Sequence, residues 1–210
     1  MIGGRKWSPA IAGDVVLLPR RRQQEKREPA IQTFRMNETG AEPSEISASV
    51  PDWSREAKAC WVWDPSKSLL ASIRAYQRHQ GSRSPMRILI RKLAVLRHRF
   101  WSVVTGADIP INSQIGGGFA IPHPNGIVIH PSADIGANCQ FFQQVTIGVR
   151  KHGGAPRIGG HVDIGAGAKV LGPLQIGDHA SVGANAVVLD DVPAGATVIG
   201  IPARIRASRS

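Results

Sequence analysis

From Arg157 to Val188 the chain reads RIGGHVDIGAGAKVLGPLQIGDHASVGANAVV. Aliphatic residues stand at Ile158, Ile164, Val170, Ile176, Val182 and Val188, each six residues after the last. Glycine follows the aliphatic at Gly159, Gly165, Gly177 and Gly183. Helices repeat at about 3.6 residues and strands at about 2, so neither pattern alone accounts for a strict hexad. A parallel β-helix does. Three hexads make a triangular coil of about 18 residues, and each aliphatic points inward onto its equivalents in the coils above and below. The glycines let the chain turn where a Cβ would clash or demand an unfavourable φ.

The same spacing holds upstream at Ile129, Ile135, Phe141 and Ile147, and before that at Ile109, Ile115 and Ile121. Two extra residues break the phase between Ile121 and Ile129, and five between Ile147 and Ile158. The hexads amount to about four coils. A thin aliphatic column also explains why no Trp or Tyr follows Trp101. A short solenoid must protect its ends. Asp190, Asp191, Pro193 and Gly195, with the apolar stretch Val198 to Pro202, predict a closing turn and cap strand.

The front half differs. The net charge of +11 is concentrated there: residues 1–104 carry 19 Lys/Arg against 9 Asp/Glu, whereas residues 105–210 carry 7 against 6. A uniformly basic nucleic-acid-binding domain would not divide this way. Helical spacing of Leu69, Leu70, Ile73 and Tyr76 predicts a helix from about Pro65 to Gln80. Ile88, Leu89, Leu93, Leu96, Phe100, Val103 and Val104 predict another from Met86 to Val104, stopped by Gly106. The pair reads as a helical cap on the first coil (51–105), with the solenoid domain at 106–206. A basic amphipathic surface meeting an anionic membrane or glycolipid is the alternative, so peripheral membrane contact stays open. Residues 1–50 resemble a disordered basic leader, with the charge run Pro19-Arg-Arg-Arg22, and translation from Met36 is an alternative start. Two cysteines, Cys60 and Cys139, make no disulfide framework, and neither a signal-peptide core nor a bilayer-spanning run occurs. These features together predict a cytoplasmic protein.

Departures from a repeat are where function usually sits. The first reads Ile121-Pro122-His123-Pro124-Asn125-Gly126 and the second Gly148-Val-Arg150-Lys151-His152-Gly-Gly-Ala-Pro156-Arg157. Two prolines restrict the backbone around His123, which suits a pre-positioned imidazole, and a neutral imidazole is the natural general base at about pH 7. Asp108 lies fifteen residues earlier, close to one coil, where a carboxylate can orient that imidazole. A turn histidine without a role is the alternative.

The stretch from Asp108 to Arg204 resembles the serine acetyltransferases and their relatives among the left-handed β-helix (hexapeptide-repeat) acyltransferases. The resemblance rests on Asp108-Ile109, His123 with Asn125-Gly-Ile-Val-Ile129, Val145-Thr-Ile-Gly148, Ile164-Gly-Ala-Gly-Ala-Lys-Val-Leu-Gly172 and Gly200-Ile-Pro-Ala-Arg204. It implies a homotrimer with active sites in the grooves between subunits, His123 as catalytic base and Asp108 as its partner. It also implies direct acetyl transfer from acetyl-CoA to an acceptor hydroxyl, with no metal. Backbone N–H groups near Gly148 would hold the oxyanion. By the resemblance Ala166 and Ala184 contact the pantetheine arm, in a groove of small residues that includes Gly167; Lys169 and Arg204 are, by their charge alone, candidate partners for the CoA phosphates.

Three departures bear on the acceptor. Pro122 stands where serine acetyltransferases have Asp, and Gly154 and Ala155 replace their Arg-His pair. These are the side chains with which that family holds serine's charged groups, and a zwitterion without charge partners binds poorly. Arg150 and His152 are candidate replacements. The helical front end is also short, and the tail lacks the terminal isoleucine that docks on cysteine synthase. The sequence therefore favours a sugar or glycan hydroxyl as acceptor, with L-serine as the alternative and no cysteine synthase complex. A γ-carbonic-anhydrase-like zinc protein would need histidine spacings that are absent, although His161 and His179, eighteen residues apart, would stack on one edge. A non-catalytic scaffold is the remaining reading, with nucleic-acid binding through the leader unfavoured.

Overall fold

The hexads stack as their period requires. In the computed structural model, residues 46–206 are described, apart from 60, 82 and 152. Short strands form three parallel faces. On the first face Ile129, Ile147, Val170 and Val188 are in register. Ile115, Ile135, Ile158 and Ile176 align on the second, and Phe141, Ile164, Val182 and Val198 on the third. All twelve are buried. Each such side chain contributes about 1.5–3 kcal/mol of burial, so the column dominates stability. Phe119 and Phe141, both fully buried in this core, meet edge to face at 5.0 Å.

The coil count corrects the sequence reading. Single bridges from Asp108 to Val128, Ala120 to Gln140 and Ile176 to Val192 extend every face to five levels. The fifth coil was hidden because Val192 follows Val188 by four residues and breaks the hexad. Val198 is correspondingly a full rung and not a cap strand, since Thr197–Ile199 runs parallel to Ser181–Val182. The cap is Arg204–Ile205, which turns back antiparallel on Val198 and Ile199.

The structure also selects between the two reasons for the glycines. A Cβ on Gly165 would lie 2.6 Å from the Ala184 backbone nitrogen, and one on Gly177 2.4 Å from that of Ala194. Close approach of successive coils is thus the constraint. The left-handed backbone falls two residues later, at Asn138, His161, His179 and Asn185 as well as at Gly167.

Two helices precede the coils: α1, Pro65–His79, and α2, Pro85–Thr105. Asp64 caps α1 by accepting the Lys67 N–H, with Pro65 in the first turn. Its Leu69, Leu70 and Ile73 join the solenoid core. Arg74 donates to the Ile115 and Gly116 carbonyls while pairing with Glu56 at 2.8 Å. Gly106 ends α2 in the left-handed region at φ 65°.

A strap before α1 crosses the edge between the second and third faces. Buried Asn138 accepts the Asp52 N–H and donates to the Ser47 and Val50 carbonyls. Residues 46–50, the described part of the expected leader, are held this way, and the rest of that leader lies outside the described residues.

The cap reading holds for α1 but not for the apolar stripe of α2. Among the α2 residues only Ala94 and Thr105 are buried. His98 Nε2, 2.8 Å from the Ile109 carbonyl oxygen, adds one polar tie to the first coil. Leu89, Leu93, Leu96, Phe100 and Val103 are all exposed. No helix among the described residues is long and apolar enough to cross a membrane.

Candidate active site

The loop carrying His123 forms the edge between the third and first faces at the top coil. A ladder of backbone hydrogen bonds descends from it: Gln144 N–H to Asn125 O, Gly167 N–H to Gln143 O, and Asn185 N–H to Ala166 O. Ala166, Gly167 and Ala184 therefore share one edge with His123, two to three coils below it. At the usual strand spacing that is about 10–14 Å along the edge. The small residues and the imidazole thus stand along one edge.

Lys169 joins the same edge, its Nζ donating to the Gln144 carbonyl at 2.6 Å. Arg204 is exposed near the bottom coil and pairs loosely with Asp190 at 3.4 Å. Gly148 and Arg150 are elsewhere: the Gly148–Arg157 loop leaves the first face at the opposite edge, towards the second face. Arg150 is exposed, its stem against Gly172. His152 lies outside the described residues. The two loops thus occupy different edges of one chain.

Asp108 and Val128, the latter just beyond the His123 loop, form a bridge, so carboxylate and imidazole belong to neighbouring levels of one corner. Both side chains are exposed, and no hydrogen bond joins them within this chain. Asp108 also faces His98. Burial lowers the His98 pKa, against the raising influence of the Ile109 carbonyl and the Asp108 charge.

His123 opens into a cavity of about 630 Å³. Its walls include Arg55, Trp63, Asp64, Lys67 and Asn125. Burial alone would raise the Asp64 pKa, but the Lys67 N–H, the Ser66 hydroxyl and the charges of Lys67 and Lys58 outweigh it and leave the group lowered. Sequence reasoning missed Arg55, Trp63, Asp64 and Lys67. Asp64-Pro65 is legible as a helix start, but nothing in a spacing of more than fifty residues says that this start faces His123. His161 and His179 do stack, Nδ1 to Nδ1 at 2.9 Å. No group of three metal-ligating side chains occurs among the described residues.

A parallel β-helix whose repeat breaks carry histidine, above an edge of small residues, defines a hexapeptide-repeat solenoid of the acyltransferase type. No protein-family model matches the chain. A serine acetyltransferase of Synechococcus elongatus is 43% identical over 106 residues, covering 49% of this chain and 43% of that protein. A serine acetyltransferase solved in complex with CoA superposes with a TM-score of 0.57 at 32% identity, covering 69% of this chain and 58% of the other. The soybean serine acetyltransferase apoenzyme superposes with a TM-score of 0.51 at 34% identity, and 70% of that chain is covered by 68% of this one. The chain belongs to the serine acetyltransferase-like family of left-handed β-helix acyltransferases. It spans roughly half the length of the curated relatives it matches.

Proposed function

We propose that the chain is an acetyl-CoA-dependent O-acetyltransferase that works as a homotrimer and acetylates the hydroxyl of L-serine. The observation that carries the reading is the cavity beside His123, walled by one carboxylate, Asp64, and two cations, Arg55 and Lys67. A zwitterion needs both signs. Counterparts to the charges missing at Pro122, Gly154 and Ala155 thus stand in the wall, each also tied to its own chain. Arg55 donates to the Asn138 carbonyl and Gln140 Oε1, Lys67 Nζ donates to the Ala57 carbonyl, and Asp64 Oδ1 accepts from Ser66 and the Lys67 N–H. The serine acetyltransferase names of the relatives support the same acceptor, and the sugar hydroxyl favoured from sequence gives way to it. A cytoplasmic location belongs to this proposal, in keeping with a free, buried Cys139.

His123 takes the hydroxyl proton as the serine oxygen attacks the thioester carbonyl of acetyl-CoA. Backbone N–H groups after Gly148 stabilise the tetrahedral oxyanion. The C–S bond then breaks, the CoA thiolate leaves, and the imidazolium returns the proton to it. Asp108 positions the imidazole. Ala166, Gly167 and Ala184 leave room for the pantetheine arm, with Lys169 and Arg204 available to its phosphates. A trimer is part of the reading because the Gly148–Arg157 loop and His123 lie on different edges, so one complete site needs loops from two chains. Arg150 would then face the neighbour's acceptor.

Thiol release from acetyl-CoA with L-serine, and with a panel of sugars, tests this directly. His123→Ala is expected to lower turnover by about 10²–10⁴-fold without loss of fold. Turnover with sugars and not with serine would overturn the acceptor, and CoA release that ignores His123 would overturn the mechanism.

A further inference from the structure

The outer face of α2 is built the wrong way round for a helix in water. At 3.6 residues per turn, Leu89, Leu93, Leu96, Phe100 and Val103 fall on one strip, opposite the packed side that holds Ala94, His98 and Thr105. Leu96 is 67% exposed and Val103 84%. Lys92 and Arg99 flank the strip on one side and Arg97 on the other, by the same periodicity. None of the three forms an ion pair among the described residues. The segment from Pro65 to Ala107 holds nine Lys/Arg and no Asp/Glu. Near the end of α2, Phe100 meets Trp101 edge to face at 5.0 Å and Trp101 meets exposed Trp63 at 5.3 Å, so amphipathic aromatics continue the strip.

We propose that this face of α2 docks on an anionic phospholipid bilayer, with α2 lying in the interface plane. Charge complementarity selects this occupant over pairing of the strip with the same strip of a second copy. Two copies of the strip would bring Lys92, Arg97 and Arg99 against their own kind with no carboxylate on either helix, and like charges across an interface are costly. An anionic lipid surface supplies the counter-charge while the strip enters the boundary between headgroups and acyl chains. The inference is independent of the acceptor and of the acetyl-transfer reaction.

The test is co-sedimentation of the full chain with phosphatidylcholine vesicles and with vesicles containing phosphatidylglycerol, at low and high salt. Binding is expected to favour the anionic vesicles by about tenfold or more and to weaken with salt. Leu93→Glu/Leu96→Glu and Lys92→Glu/Arg97→Glu are each expected to abolish it by about tenfold or more. All four positions are exposed, so circular dichroism and Tm should be unchanged. Equal binding to both vesicle types, or binding that survives both double substitutions, overturns the proposal. So does an assembly in light scattering that loses subunits on Leu93→Glu/Leu96→Glu, since the strip would then belong to another copy.

Discussion

The solenoid and α2 both carry regular apolar patterns, but they use them in opposite directions. In the coils every inward position from Ile109 to Val198 is closed off from water, because each rung is covered by the next. In α2 the apolar strip points outward and the helix is held by a few contacts on its other side. Periodicity therefore reports that a face is apolar and not what covers it. A six-residue period admits one stacked arrangement, whereas a 3.6-residue stripe fits a core, another chain or a lipid surface equally well.

Substitution at matched positions is the strongest way to break this contrast. Ile147→Ala, in the middle of the column, is expected to cost about 2–5 kcal/mol, while Leu96→Ala on α2 should leave the urea midpoint nearly unchanged. Similar losses at the two sites would mean that the α2 face is buried in solution. Asn138→Ala comes next. Its amide serves three backbone partners from the strap, and removing it should cost about 1–3 kcal/mol and open residues 46–52 to proteolysis before the coils yield. Gly167→Ala puts a Cβ at φ 73° and 2.1 Å from Asn185 Oδ1, for an expected loss of about 1–2 kcal/mol in denaturant titration.

The smallest effect is a pH dependence at the α2 contact. The folded pKa of His98 lies below its ordinary 6.5 because burial disfavours the imidazolium. The unfolded chain then binds more protons at acidic pH, so the stabilisation is complete above that value and is lost as pH falls below it. His98→Gln should flatten the slope of Tm against pH in this window. An unchanged slope would assign it to other groups.

The coils were legible in the sequence because stacking forces the same residue type into the same place on every turn. Val192 escaped because the chain shortens the second face by two residues at the last level. Ala166, Gly167 and Ala184 were legible as small residues, and their alignment below His123 follows from the register. Arg55, Asp64 and Lys67 were not, since their approach to His123 depends on how α1 lies over the first coil. The exposed strip of α2 was visible as apolar, but its covering was misread: the first coil leaves one narrow end to cover, and α1 closes it.

The loop at Gly148–Arg157 departs from the hexad without disturbing any level above or below it. A residue deleted within a strand would turn the neighbouring inward side chain away from the column, whereas the corner between Val188 and Val192 is two residues short and Val192 and Val198 still point inward. At the two corner loops the same change is absorbed locally. The corners can therefore lengthen or shorten while the rungs between them keep their register, like a ruler that mutation cannot easily recalibrate.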